Sequence, residues 1–279
     1  MKKIYLSIFL VATLMIITYT GNINAMGNGE AKPAAAINEG YMTIIAHAGG
    51  VVDGRSASNS REAIEQSYEK GCRFIELDFN WTKDGGLALI HDWDQMGRFC
   101  PGLPKKKIPT LAEFENCRIA GKYESMTWRK LAVWLKAHPD VCVITDVKRN
   151  NVKALKLIKQ SNPEIIKQII PQIYSKGEYA KVKALGYDRI ILTLYRMKSR
   201  ERRDTDNIIR FAKKNRLYAV TMDKVMFDLI NDEEKYVKNG IKVYAYTVND
   251  PDEAAALKRK GVSGIYSDKL SPNAFRQKN

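Results

Sequence analysis

The sequence predicts an α/β protein of the (β/α)8 TIM-barrel class, folded as a single domain over residues 41–279. Three observations carry that expectation. Short apolar runs alternate with stretches of helical character, giving eight β/α units over a length typical of one barrel. The runs are rich in Ile and Val, the pattern of parallel strands covered on both faces. Polar side chains within the runs gather where the runs end, which is where a barrel of this class builds its site. A doubly wound sheet is the alternative, but the Gly-Gly after Ala-His-Ala lacks the third glycine of a dinucleotide fingerprint.

The elements follow in order. MTIIAH (42–47) predicts the first strand and Ser60–Lys70 the first helix. RFIELDF (73–79) is the second strand, and GLALIHD (86–92) returns after the turn TKDGG as its hairpin partner. Thr127–His138 predicts a helix, VCVITDVK (141–148) a strand, Asn151–Ser161 a helix, and Ile165–Tyr174 contains the next strand. Lys176–Leu185, Thr205–Asn215 and Met226–Lys238 predict helices that alternate with strands in RIILTLY, LYAVT and KVYAYTV. A last helix starts at Pro251, with Asp250 as its cap and proline in its first turn, and SGIYS closes the series.

Ahead of the barrel, Lys2 and Lys3 precede the apolar run IYLSIFLVATLMIITY, and small and polar residues follow. This is the three-part pattern of a secretory signal, with cleavage expected near Ala25. An uncleaved anchor is the alternative, although the run is short for a membrane span. Residues 26–40, small, polar and interrupted by proline, read as a flexible leader. Localisation outside the cytoplasmic membrane, secreted or periplasmic, follows from this reading.

The formal net charge is +15, from 46 basic and 31 acidic residues. Such an excess fits anionic surroundings such as an envelope surface, but the basic residues are scattered, often on predicted helix faces, as in an ordinary solvated basic surface. No zinc-finger spacing, aromatic RNA-binding motif or dense basic stripe is present, so nucleic acid is not an expected partner. Of the four cysteines, Cys72 and Cys142 read as small buried residues, whereas Cys100 and Cys117 lie in a loop-rich stretch. In an oxidising compartment those two either pair or remain free.

The chemistry lies at the strand ends. His47 ends the first strand, Glu76-Leu77-Asp78 the second, His91-Asp92 the hairpin, and Asp146-Val147-Lys148 the following strand. Residues two apart on a strand share a face, so Glu76 and Asp78 point the same way. Three carboxylates on adjacent strand ends do not stay ionised together without a cation. Oxygen ligands from Glu76, Asp78 and Asp146 suit one hard divalent ion, Mg²⁺ or Ca²⁺. Lys148 adds a second positive charge, and His47 and His91 supply a general base and a general acid. Singly, each residue has an ordinary structural explanation: a salt bridge for Glu76 and Asp78, a satisfied buried histidine for His47, a turn cap for Asp92. His138, at a helix end beside Pro139, reads as structural. The functional reading rests on the conjunction.

That conjunction resembles the glycerophosphodiester phosphodiesterase family, within the group of phosphatidylinositol phospholipase C-like barrels. The resemblance spans most of Met42–Pro272 and is carried by IIAHAGG, SNSREAIEQSYEKGCRFIELDFNWTKDGGLALIHDWD, VITDVK and VYAYTVNDPDEAAALKRKGVSGIYSD. It implies catalytic roles for His47 and His91 and metal ligation by Glu76 and Asp78. It also implies a carboxylate-x-Lys pair at Asp146 and Lys148, and substrate contacts from Asn59 and Tyr246. The sequence departs from the family pattern at four places. The arginine expected after the first histidine is Ala48, with Arg55 or Lys148 as candidates to replace it. The third ligand is Asp146 instead of Glu, as in the similar sphingomyelinase D enzymes, which cyclise their substrates. The Pro-Glu-Asn-Thr loop is reduced to Ala-Ser-Asn-Ser, and the lobe inserted after His-Asp is short or absent.

The expected function is metal-dependent hydrolysis of a glycerophosphodiester to a glycerol phosphate and an alcohol, through a cyclic phosphate. The substrate is a small phosphodiester or one derived from a phospholipid. A phospholipase that stops at the cyclic product is the alternative within enzymes. A catalytically silent barrel that binds anionic lipid or wall polymer is the alternative outside them.

Overall fold

A computed structural model describes residues 42–95, 100, 107–226 and 233–273. The expected signal segment (1–25) and leader (26–40), and parts of the 226–238 helix, lie outside the described residues. No helix among the described residues is long and apolar enough to cross a membrane.

Eight parallel strands close into a barrel. In spatial order they are β1 (Thr43–Ala46), β2 (Phe74–Trp81), β6 (Cys142–Val147), β7 (Ile169–Ile173), β8 (Ile191–Thr193), β9 (Ala219–Asp223), β10 (Val243–Tyr246) and β11 (Gly264–Ser267), and β11 pairs back onto β1. The remaining strands lie outside the ring. β3 (Leu87–Leu89) runs antiparallel to β2, and β4 (Arg118–Ile119) and β5 (Tyr123–Glu124) form a separate hairpin. Alternation sorts the side chains into two layers. Ile45, Phe74, Cys142, Ile144, Ile170, Ile191 and Tyr244 fill the barrel, while Ile75, Leu77, Val143 and Leu192 face the helices. Both layers are buried, which is why the strands read as continuous apolar runs. At Gly264 any side chain would press on the Tyr244 ring, because a Cβ there would lie 2.9 Å from it.

The helices start where side-chain oxygens can take the free backbone N–H groups of the first turn. Ser60 caps α1 (Arg61–Glu69), and Thr110 and Glu113 form a reciprocal capping box on α2 (Leu111–Glu115). Thr127 caps α3 (Trp128–Ala137), which is followed by α4 (Asn151–Ser161). The predicted Lys176–Leu185 helix is split into a 3-10 turn and α5 (Tyr179–Ala184). α6 (Ser199–Arg202) precedes α7 (Thr205–Asn215), whose bounds match the prediction, and α8 (Glu233–Lys238) follows β9. Asp250 accepts from two backbone N–H groups of α9 (Pro251–Arg259), as its sequence predicts. His138 is structural: its ring stacks on Trp134, and its Nδ1 lies 2.7 Å from the Trp134 carbonyl.

The described residues between β3 and α3 form a small lobe on an apolar cluster that includes Trp93, Phe114, Ile119 and Tyr123, with Val52 and Ala63 from before β2. The Cys100–Cys117 disulfide joins it, whereas Cys72 and Cys142 are free and buried. Closing a loop with a separation of 17 residues limits the unfolded chain. Cys117→Ser should therefore cost about 2–4 kcal/mol and lower the melting temperature measured by calorimetry. An unchanged transition would place the lobe's stability in its apolar cluster alone.

Candidate active site

β2 places Phe74, Glu76 and Asp78 on the barrel's inner face, with Phe74 buried in the interior cluster and the carboxylates nearer the mouth. β6 does the same with Cys142, Ile144 and Asp146, and Asp78 and Asp146 are direct partners in the parallel register. Ligand oxygens of Glu76, Asp78 and Asp146 all lie within 4.8 Å of one another. Each is held by a different neighbour. The Ala48 backbone N–H donates to Glu76 Oε2 at 2.8 Å. The Asn59 side-chain amide donates to Asp78 Oδ2 at 2.8 Å, and its carbonyl accepts the Asp78 backbone N–H at 2.9 Å. Asp146 accepts from the hydroxyls of Tyr174 at 2.5 Å and Tyr195 at 3.0 Å. Lys148 Nζ bridges two of the three, 2.5 Å from Asp78 and 2.8 Å from Asp146.

The electrostatics fit a cation site. Burial, and then the charge of Asp78, push the Glu76 carboxyl up to about 8. Burial acts in the same sense on Asp146, but Lys148, Tyr174 and Arg196 outweigh it and hold that carboxyl below its ordinary range. Lys148 is itself buried, yet Asp78 and Asp146 keep its ammonium charged beyond the ordinary range. Lys148 and Arg196 thus compensate Asp78 and Asp146, and the third carboxyl, Glu76, is held towards its protonated form for want of a further cation. The oxygen donors of the three carboxylates, oriented by hydrogen bonds from behind, fit a hard divalent ion. Removing one ligand oxygen should show directly in binding. Asp78→Asn should weaken divalent-ion affinity at least about tenfold by titration calorimetry, the size seen even for groups that only support ligands. Unchanged affinity would exclude Asp78 as a ligand.

His47 leaves β1 in a tight turn. Ala48 has a left-handed φ of 46°, and Gly49 and Gly50 have φ of 85° and 90°. A Cβ on Gly50 would lie 2.2 Å from Ser67 Oγ, and that same hydroxyl donates to the Gly49 carbonyl at 2.7 Å. The Gly-Gly of the sequence is thus the hinge that turns the Ala48 N–H onto Glu76 and brings His47 to the cavity. His47 Nδ1 lies 2.8 Å from Asp268 Oδ1, and its Nε2 lies 3.9 Å from Glu76 Oε2. Burial alone would lower the imidazole pKa. Asp268, Glu76 and Asp78 overcome this and raise it to about 9. Asp268 is fixed in turn by Asn249, whose amide donates to Asp268 Oδ2 at 2.8 Å and whose carbonyl accepts the Asp268 backbone N–H.

The groups surround a cavity of 310 Å³, large enough for a small phosphodiester. His47, Glu76, Asp78, His91, Asp146, Lys148 and Tyr246 all line it, so the structure brings together these sequence-predicted residues. His91 lies on the exposed side of the mouth. Asn59 does not line the cavity; both ends of its amide are taken by Asp78. Arg55, one candidate for the lost arginine, is exposed and does not line the cavity, whereas Lys148 does. Asp92 caps a turn by accepting the Asp94 backbone N–H.

The sequence reading missed five residues that act on the site: Asp268, Asn249, Tyr174, Tyr195 and Arg196. Asp268 carries a usable signal, being a carboxylate directly after the last strand. The tyrosines carry none, because a tyrosine near a strand end is common in any barrel core.

Comparison with known proteins agrees with this geometry. A model of the glycerophosphoryl diester phosphodiesterase family matches residues 47–271. A glycerophosphodiester phosphodiesterase of Caldanaerobacter subterraneus subsp. tengcongensis is 26% identical over 240 residues, 81% of this chain and 93% of its own length. Human glycerophosphodiester phosphodiesterase 1 is 30% identical over 144 residues, 49% of this chain and 41% of its own length. Among solved structures, a glycerophosphodiester phosphodiesterase of Thermotoga maritima superposes with a TM-score of 0.65 at 20% identity, covering 86% of this chain and 99% of that one. An Oleispira antarctica phosphodiesterase in complex with the product sn-glycerol-3-phosphate has a TM-score of 0.63 at 18% identity, covering 84% of this chain and 95% of that one.

Proposed function

Since the chain belongs to the glycerophosphoryl diester phosphodiesterase family, whose members are phosphoric diester hydrolases, we propose that it cleaves glycerophosphodiesters by acid–base catalysis between His47 and His91, through a cyclic phosphate. The observation that carries the reading is that three carboxylates, one lysine and two imidazoles line a single cavity.

Glu76, Asp78 and Asp146 would hold one divalent ion, Mg²⁺ or Ca²⁺. Bound there, the ion supplies positive charge to a phosphoryl oxygen. Lys148, pinned between Asp78 and Asp146, adds its own charge from the same wall. His47 takes the proton of the substrate hydroxyl beside phosphorus. His91, on the open side of the mouth, gives a proton to the leaving alcohol. Their roles reverse when water opens the ring. Burial works to lower the His47 pKa, but Asp268, and then Glu76 and Asp78, raise it to about 9. An ion held by Glu76 and Asp78 would ease their share of that hold, while the share of Asp268 would remain. Asp268 accepts from Nδ1, which leaves Nε2 as the nitrogen that meets substrate.

We place the reaction outside the cytoplasm, after export directed by residues 1–25. The charged, apolar and small-residue order of that segment supports this, and so does a disulfide, which persists in oxidising compartments. The positive excess favours an anionic envelope surface as its setting.

The test is a panel of glycerophosphodiesters, lysophospholipids and teichoic-type polymers assayed for release of alcohol. The reading expects turnover of the glycerophosphodiesters. Binding of the polymers without turnover of any diester would favour the silent barrel.

A further inference from the structure

We propose that the end of the barrel opposite the catalytic mouth, over β9, β10 and β11, is a docking surface for a bilayer that carries anionic phospholipid. This surface shares no residue with the catalytic cavity.

It is built by the connections that lead from each helix into the next strand. Lys213, Lys214 and Arg216 precede β9, and Lys238 and Lys242 precede β10. Lys258, Arg259 and Lys260 precede β11. Segments 213–218, 238–242 and 258–263 together hold these eight cations and no Asp or Glu, and all eight are exposed. The segments form one continuous patch, because β9, β10 and β11 are neighbours in the sheet. Lys213 Nζ donates to the Asn239 side-chain oxygen at 3.2 Å, which joins the first connection to the second. The Val237 side chain lies against Gly261, where a Cβ would be 2.7 Å from it, which joins the second to the third. Val237 is itself 40% exposed, an apolar side chain among the cations.

Helix ends account for only part of this charge. A cation in a last turn complements the free carbonyls there, and Lys213, Lys214, Lys238, Lys258 and Arg259 occupy such turns. Lys242 lies beyond the helices, and the helix dipole does not explain why carboxylates are missing. Other connections at the same end of the barrel have them: Arg73 pairs with Asp140, Lys136 with Glu164 and Lys183 with Asp188. In the β9–β11 sector Lys238 pairs back to Glu234 on its own helix. Among the described residues no carboxylate pairs with Lys214, Arg216, Lys242 or Arg259.

The sector is also polarised. At the mouth end the same helices begin with Asp204 and Asp206 on α7 and with Asp250 and Asp252 on α9. A charged plane acts over only about 8–10 Å at ordinary salt, so the end that faces it decides the energy. An anionic surface therefore attracts the basic end and repels the other, and the docked protein keeps its mouth open to water. The course of the chain agrees. β1 neighbours β11, and the Thr43 backbone N–H donates to the Ser263 carbonyl at 2.9 Å. The residues that precede Thr43, with the apolar run at 4–19, are thus joined to the barrel beside the basic connections and not at the mouth. A single-stranded nucleic acid would need open rings on which to stack its bases. Tyr218, at this end, has Arg189 and Lys242 over its ring instead.

The test uses the full-length protein and vesicles of phosphatidylcholine, alone or mixed with an equal part of phosphatidylglycerol. The mixed vesicles should bind at least about tenfold more protein at low salt, and the difference should vanish at about 1 M salt. The triple variant Lys214→Gln, Arg216→Gln, Lys242→Gln should partition onto mixed vesicles about a hundredfold more weakly, at roughly fivefold per cation. The variant Lys198→Gln, Arg200→Gln, Arg203→Gln removes the same charge from exposed positions on the mouth side and should change partitioning less than about threefold. A second measurement needs no variant. Acetylation of Lys214 and Lys242, followed by mass spectrometry, should be slowed at least about fivefold by mixed vesicles and by phosphatidylcholine not at all, while Lys198 reacts as before. Equal slowing by both kinds of vesicle, as an apolar run inserting by itself would give, would overturn the proposal. So would protection of these lysines by soluble polyphosphate with none by mixed vesicles, which would make the patch a site for a dissolved polyanion.

Discussion

His47→Ala and His91→Ala should each lower kcat/KM by roughly 10²–10⁴-fold, the usual contribution of a positioned acid or base. Neither histidine belongs to the packed layers of the barrel, so circular dichroism and the thermal transition should stay close to those of the unaltered protein. The two positions differ in what supports them. His47 is held by Asp268, which is held by Asn249, so the effect should propagate outward along that chain. Asp268→Asn leaves His47 in place but removes the charge that fixes its tautomer, and should reduce kcat more than it raises KM. It should also shift the acidic limb of the kcat/KM profile to lower pH, because Asp268 is among the groups that raise the His47 pKa. A purely structural Asp268 would move stability and leave the profile where it is. Near wild-type turnover in folded His47→Ala would remove His47 from the chemistry.

The larger effect is expected from the substrate. Replacing the hydroxyl next to the phosphate by hydrogen should abolish cleavage while leaving binding intact. The cavity lining offers no serine or cysteine as a nucleophile among the described residues. Its threonines, Thr193 and Thr221, are fully buried in the barrel wall. A hydroxyl tethered beside phosphorus gains the advantage of an intramolecular reaction, an effective concentration on the order of 10⁵ M or more when well oriented. The enzyme then has only to remove its proton. Phosphorus NMR should show a cyclic phosphate with the intact substrate, at least transiently. Comparable cleavage of the deoxy substrate with no cyclic signal would mean that His47 activates water instead.

Much of this arrangement is legible from sequence because the barrel couples two simple periods. Inward residues alternate along each strand, and adjacent parallel strands bring equivalent positions together. Glu76, Asp78 and Asp146 can therefore be grouped from sequence alone, and Asp78 and Asp146 are direct partners in the β2–β6 register. The Ile- and Val-rich runs predicted the barrel for the same reason, and the bounds of α7 and the Asp250 cap followed from local chemistry. What escaped were contacts made by long side chains across sequence distance. Tyr174 and Tyr195 reach Asp146 from two strand ends, 28 and 49 residues away along the chain. Asn59 matched a family position for substrate contact, yet its amide is spent on Asp78, because a left-handed turn aims it at the β2 backbone. The lobe around Cys100–Cys117 was equally hidden. Its strands are two residues each and its helix five, too short to leave a period in the sequence.

Cleavage of a glycerophosphodiester should require one divalent ion held by Glu76, Asp78 and Asp146. The most direct measurement is a phosphorus NMR time course of glycerophosphocholine with the full-length protein, first stripped with excess chelator and then reloaded with Mg²⁺ or Ca²⁺. No product is expected in chelator, and a glycerol phosphate should form on reloading with one of the two ions, with Asp78→Asn needing a higher ion concentration for the same rate. An undiminished rate in excess chelator would contradict that requirement.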